Sequence, residues 1–122
     1  MKARTKKFAL DVLTFVDSCD QSRAGDRTIC IQLCEAATSV AANYRAACRA
    51  RSRREFAAKI GLVLEEADES QFWLECGEAR RLGLSGLRAH LKRESTELTA
   101  IFTAANVTVR GSLAVRGSPS PP

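Results

Sequence analysis

An all-α fold, an up-down-up-down antiparallel four-helix bundle, is what this sequence predicts, on three grounds. Apolar residues recur at alternating spacings of three and four over four long stretches, the period of a helix face. Short polar, glycine-containing or capped segments separate those stretches. No alternation of apolar and polar residues is long enough for a strand, and no internal repeat is present.

The first helix is expected from about Thr5 to Ser18, with Phe8, Val12, Phe15 and Val16 on one face and Ala9 and Leu13 beside them. Cys19 to Gly25 forms a polar loop closed by glycine. Asp26 or Thr28 then caps a second helix that continues to about Ala50. That helix carries two adjacent seams. Leu33, Ala36, Val40, Asn43, Ala47 and Ala50 form one, and Cys30, Cys34, Ala37, Ala41, Tyr44 and Cys48 follow one residue over. Together they make an apolar arc wider than the single stripe a surface helix buries. The helix is therefore expected to touch both its own bundle and a second copy of the chain, with Cys34, Ala37, Ala41, Tyr44 and Cys48 as oligomer contacts. Asn43 is costly in an apolar layer, but it fixes register if it finds a partner.

Ser52-Arg53-Arg54-Glu55 reads as a capping box directly before Phe56. In that motif the serine hydroxyl accepts from a first-turn amide and the glutamate reaches back to the serine amide. The third helix then has the seam Phe56, Ile60, Val63, Ala67, Ser70 and Leu74, up to about Leu82, and Gly83 ends it. Ser85 caps the fourth helix. Its seam is Leu84, Leu87, Leu91, Glu94, Leu98, Ile101 and Ala105, with Phe102 beside it, fading near Val109. The bundle thus spans residues 1–109. Residues 110–122, with glycine, serine and three prolines, are expected to be a disordered tail. Short connections force neighbouring helices antiparallel. The tight turn after Ala50 places Asn43 opposite Ile60 and Tyr44 opposite Lys59.

At 122 residues the chain has the length of one domain. Its longest apolar run falls far short of the roughly 20 residues of a membrane span. The basic start is followed by an amphipathic segment carrying Asp11 and Asp17, unlike the apolar core of a signal peptide, so a cytoplasmic location is expected. Five cysteines with no Cys-x-x-Cys spacing suit reduced, packed thiols. Cys30 and Cys34 share a helix face, but the single histidine, His90, is distant and no third ligand is evident, so neither metal nor cofactor is expected. No nucleophile elbow, phosphate-binding loop or dinucleotide fingerprint is present, and no enzymatic activity is expected.

The net charge is +5, and its distribution says more than its total. Lys2, Arg4, Lys6 and Lys7 open the chain, and Arg45, Arg49, Arg51, Arg53, Arg54 and Lys59 surround the turn between helices two and three. In the antiparallel bundle these ten cations share one pole, where RNA or DNA would be attracted through phosphate contacts and counterion release. The competing reading is a protein-interaction scaffold without a nucleic-acid ligand, the cations being hydrated or docked on an acidic partner. Arg80, Arg81, Arg88, Lys92 and Arg93 surround the next turn, whereas Glu65, Glu66, Asp68, Glu69, Glu75 and Glu78 make helix three acidic. Those acids lack the Glu-x-x-His pairs of carboxylate-bridged metal bundles and read as a salt-bridging face or interface. Glu94, set in a seam, needs an arginine or the Trp73 indole N–H as partner.

Several stretches carry a family resemblance. They are Ala3-Arg4-Thr5-Lys6-Lys7-Phe8-Ala9, Ala37-Thr38-Ser39-Val40-Ala41-Ala42-Asn43-Tyr44-Arg45-Ala46, Ala50-Arg51-Ser52-Arg53-Arg54-Glu55-Phe56, and Glu65-Glu66-Ala67-Asp68-Glu69-Ser70 with Phe72-Trp73-Leu74. Together they resemble the four-helix-bundle family encoded in intervening sequences of bacterial 23S ribosomal RNA genes, over roughly Ala3 to Ala105. The resemblance implies a ring-like homopentamer without established enzymatic activity. It also implies kinship with accessory factors of diversity-generating retroelements, where a basic pentamer contacts nucleic acid and a reverse transcriptase. Arg45, Arg49, Arg51, Arg53, Arg54 and Lys59 are the residues it singles out. The chain departs from the family pattern in the Cys19–Gly25 loop, at Gly77 where a bulky apolar residue is usual, and in the Pro-rich tail.

Overall fold

A computed structural model of the chain describes residues 1–116. They form four helices, α1 (Lys2–Asp17), α2 (Ala24–Cys48), α3 (Arg53–Ala79) and α4 (Ser85–Arg116), with no strand among the described residues. Each helix packs on the next, and α4 returns against α1, which gives the antiparallel four-helix bundle expected from the periodicity. Phe8, Val12 and Phe15 of α1 meet Leu33 and Val40 of α2, Ile60, Val63 and Leu74 of α3, and Leu91, Leu98 and Phe102 of α4 in one core. Each such side chain gains about 1.5–3 kcal/mol on leaving water. Core burial therefore outweighs any single surface ion pair, which is worth about 0–1 kcal/mol.

The helix ends differ from the sequence reading for local reasons. α1 starts at Lys2 rather than Thr5, because Thr5 is buried and its hydroxyl donates back to the carbonyls of Met1 (3.2 Å) and Lys2 (3.1 Å). α2 starts at Ala24, behind an extended Arg23 that offers no side-chain cap. Asp26 does not cap it: the carboxylate is buried and accepts from Arg80 Nε at 2.7 Å. Ser52 does cap α3, its hydroxyl accepting from the Glu55 amide at 3.0 Å, but the Glu55 carboxylate accepts from the Arg51 amide (3.4 Å) rather than that of Ser52. The turn-based register would set Asp26 against Gly77. Instead Asp26 meets Arg80, and a side chain on Gly77 would meet Ile29, three positions further along.

α3 ends at Ala79 with Arg81 in the left-handed region (φ 55°) and the Leu82 amide donating to the Gly77 carbonyl at 2.9 Å. Gly83 follows at φ 62°, where L side chains are disfavoured. It is also squeezed. A β-carbon there would lie 2.8 Å from Cys19 Sγ, Phe15 Cε1 and Ser18 Oγ, so the α3–α4 turn seats directly on the end of α1. Leu84, expected in the α4 seam, is exposed, and the buried stripe is Leu91, Ser95, Leu98 and Phe102. α4 also continues past Val109, through Arg110 to Arg116, where a disordered tail was expected. Arg110 reaches Gly61, so the first of the added residues still lies alongside α3, toward its start. Residues 117–122 of the expected tail lie outside the described residues.

The chain itself covers part of the broad apolar arc of α2. Ala37 is 0% exposed, Cys34 packs on the core, and the Tyr44 ring lies 5.5 Å from that of Phe102 in α4. Ala37 is therefore a core residue and not an oligomer contact. Cys34, Ala41 and Tyr44 are half-buried and Cys48 is exposed, so the rest of the arc keeps an outward edge. Asn43 is half-buried, and its amide donates to the Ser39 carbonyl of its own helix at 3.0 Å.

Candidate nucleic-acid interface

The turn between α2 and α3 is short because Ser52 starts a new helix four residues after Cys48 ends the last one. A four-residue turn rich in arginine cannot bury its side chains, and Arg49, Arg51, Arg53 and Arg54 are all exposed. None of them forms an ion pair among the described residues, nor do Lys2, Lys6 and Arg45. Arg51 and Arg53 flank a shallow hollow of about 410 Å³ whose floor includes Ala47, Cys48 and Phe56. The amino end of α3 opens beside it, and its unpaired amides add positive potential where phosphates would sit.

Two cations from the sequence list are already committed. Arg4 grips Glu94 of α4 through Nη2 (2.7 Å) and Nε (2.9 Å), with Glu97 at 3.6 Å, so it joins α1 to α4. This pair supplies the arginine that Glu94 required. The Arg4 bond holds the Glu94 carboxyl below the usual glutamate range, and the same bond raises the guanidinium. Lys7 pairs with Asp11 one turn on, at 2.8 Å. Neither residue belongs to a free cationic surface. Lys59 is half-buried at its edge.

Around the opposite turn the sequence sets fewer cations, Arg80, Arg81, Arg88, Lys92 and Arg93, and three of them have partners within the fold. Arg80 holds Asp26 at 2.7 Å, Lys92 holds Glu78 at 2.6 Å, and Arg88 donates to the Leu82 carbonyl, closing the α3–α4 turn. Lys92 also keeps the Glu78 carboxyl below its ordinary range. Arg81 and Arg93 are exposed there without an ion pair among the described residues, so this end divides its cations between structure and solvent, while the turn arginines at the other end all face solvent.

The remaining expected contacts are scattered. Ala41 is half-buried on the outer side of the α1–α2 junction, and Cys48 is exposed near the turn. Burial pushes the Cys30 thiol up to about 12 and raises Cys19 and Cys34 as well, so these sulfurs are protonated packing groups. No group of three or more potential metal ligands occurs among the described residues. Sequence reasoning passed over a set of exposed apolar side chains, Leu10 (52% exposed), Leu62 (40%) and Phe72 (53%). Each stands two positions from a seam residue, and that offset was the available signal.

No family model and no curated protein matches this chain. Among solved structures it is similar to a protein with unknown function from the S23 ribosomal protein family of Bacteroides thetaiotaomicron VPI-5482. The TM-score is 0.73 at 23% identity, over 86% of this chain and 96% of the other. The likeness is one of fold. The Bacteroides protein thus offers a bundle of matching architecture without a function to transfer. Among the described residues, no helix of the chain is long and apolar enough to cross a membrane.

Proposed function

We propose that this chain is a non-enzymatic, cytoplasmic, homo-oligomeric bundle that binds structured RNA or another polyanionic nucleic acid through its arginine-rich pole. One observation carries the reading: Arg49, Arg51, Arg53 and Arg54 crowd one short turn, exposed and without an ion pair among the described residues, whereas at the other end Arg80, Arg88 and Lys92 are held by partners within the fold. Arginines held apart on a rigid turn match phosphate geometry, and an unpaired guanidinium has no intramolecular bond to give up on binding. Few aromatic rings stand nearby, and Tyr44 is turned inward, which favours backbone contacts over base readout. The resemblance to proteins encoded in 23S ribosomal RNA intervening sequences supports ribosomal RNA as the first ligand to test. It supports a pentameric ring and a reverse-transcriptase partner in the same way.

The test is a salt titration of rRNA binding. With about six phosphates neutralised, affinity should fall about a thousandfold between 50 and 200 mM salt. The variant Arg51→Glu/Arg53→Glu/Arg54→Glu should lose binding while keeping its helicity. Retention of rRNA by that folded variant would eliminate the nucleic-acid reading and leave the scaffold.

A further inference from the structure

Two surfaces of this bundle combine exposed apolar side chains with charges of opposite sign. The first is a groove of about 540 Å³ between α1 and α2. Its floor is Ala9, Ala41 and Ala42, its wall Leu10 and Leu13, and its far end carries Lys2, Lys6 and Arg45. The small floor residues leave room for a helix to approach, and none of the three cations pairs with a carboxylate among the described residues. The second surface is the outward ridge of α3, where Leu62, Glu65, Glu69 and Phe72 follow one another at helical spacing and all are exposed. Glu65 and Glu69 make no ion pair among the described residues. Glu69 only accepts from the Trp73 indole, at 3.3 Å, and Trp73 in turn backs Phe72 edge-on at 4.9 Å.

We propose that the acidic, apolar ridge of α3 in one copy of this chain docks in the basic, apolar α1–α2 groove of the next. The inference rests on the homo-oligomeric part of the proposed function and names its contact. The spacings agree. At about 1.5 Å of rise per residue, Leu10, Lys6 and Lys2 follow one another at about 6 Å intervals. Phe72, Glu69 and Glu65 follow at about 4.5 and 6 Å. Running parallel to α1, the incoming ridge sets Phe72 against Leu10 and Leu13, Glu69 by Lys6, and Glu65 between Lys2 and Arg45. The crowding of α3 acids supports this placement: burial first, then Glu69, Glu65 and Glu35, raises Glu66. A neighbour's cations would relieve that field. Because ridge and groove are different surfaces, the contact is heterologous, and copies joined this way propagate into a closed ring or an open fibre. Lys6 and Arg45 then serve assembly, and the turn arginines stay free for phosphate.

Light scattering on four folded proteins tests this: the wild type, Lys6→Glu/Arg45→Glu, Glu65→Lys/Glu69→Lys, and the chain carrying all four changes. The wild type should show several times the 13.3 kDa chain mass. Each two-site reversal should fall to the mass of one chain with unchanged helicity, and the four-site chain should regain the wild-type mass. Phe72→Ala, which keeps every charge, should weaken assembly at least tenfold in midpoint concentration. A multimer that survives either reversal, or a four-site chain that stays single, overturns this interface while leaving self-association standing. A wild type that is monomeric at micromolar concentration overturns both.

Discussion

Arg4 illustrates how much one side chain decides when its partner sits inside the fold. Its two bonds to the Glu94 carboxylate are charge-assisted and share one planar fork. Replacing it with Gln leaves Glu94 half-buried without its cation and should cost about 1–2 kcal/mol at neutral pH. The pH dependence follows from the lowered Glu94 value. A carboxyl whose folded pKa is depressed contributes stability above its unfolded value, near 4.3, and loses it as pH falls through the folded one. Urea midpoints of wild type and Arg4→Gln should therefore differ at pH 7 and converge on acidification below the ordinary glutamate range. A gap that persists at pH 2 would show that Arg4 acts through packing instead. That Glu94 wants a partner is legible in the sequence, since a carboxylate in an apolar seam must be paired, but an arginine and the Trp73 indole N–H are equal candidates there; in the fold the indole goes to Glu69 instead. Which arginine pairs is not legible, because the α1–α4 contact spans nearly the whole chain.

Among the elements, the glycines separate sharply. Gly83 combines a left-handed φ with atoms 2.8 Å from any added β-carbon, including the rigid Phe15 ring. Gly83→Ala should destabilise by about 2–4 kcal/mol, combining the backbone penalty with overpacking. Gly77 is buried in the last turn of α3, and the nearest neighbour of an added β-carbon would be Ile29 Cγ2 at 4.0 Å, an ordinary contact. Gly77→Ala should raise stability by about 0.5–1 kcal/mol. Thermal melts of the two variants should move in opposite directions. The sequence marked Gly83 as a helix stop, but its packing against Phe15 and Ser18 belongs to tertiary structure. The seams of α1 and α3 were legible because each faces one core. The double seam of α2 is legible too, but the sequence does not say which of its residues the chain covers: Ala37 is buried, while Ala41 is half-buried and Cys48 exposed. The extension of α4 was missed because residues 110–116 include a glycine and few large apolar side chains, while the length of α3 beside them asks for a partner.

Across the whole molecule, the two basic poles should respond differently to the same chemical change. Arg80→Gln strips a partner from buried Asp26 and should cost about 1–3 kcal/mol in denaturant unfolding while leaving rRNA affinity within twofold. Arg53→Gln should leave stability within about 0.5 kcal/mol and reduce the salt slope of rRNA binding by about one. Equal loss of affinity in both variants would mean that net charge alone governs binding. Composition separates the poles only by their number of cations; which guanidiniums are held by a partner depends on which acids the fold brings near. The candidate site was thus legible as a cluster of arginines at a turn, and illegible as to which cations were available. This division of labour bears on how such a protein diversifies. Substitutions at the unpaired end do not disturb the scaffold, so that end can drift toward a different polyanion, or lose its ligand altogether, one arginine at a time. The other end is held in place by its duties in folding.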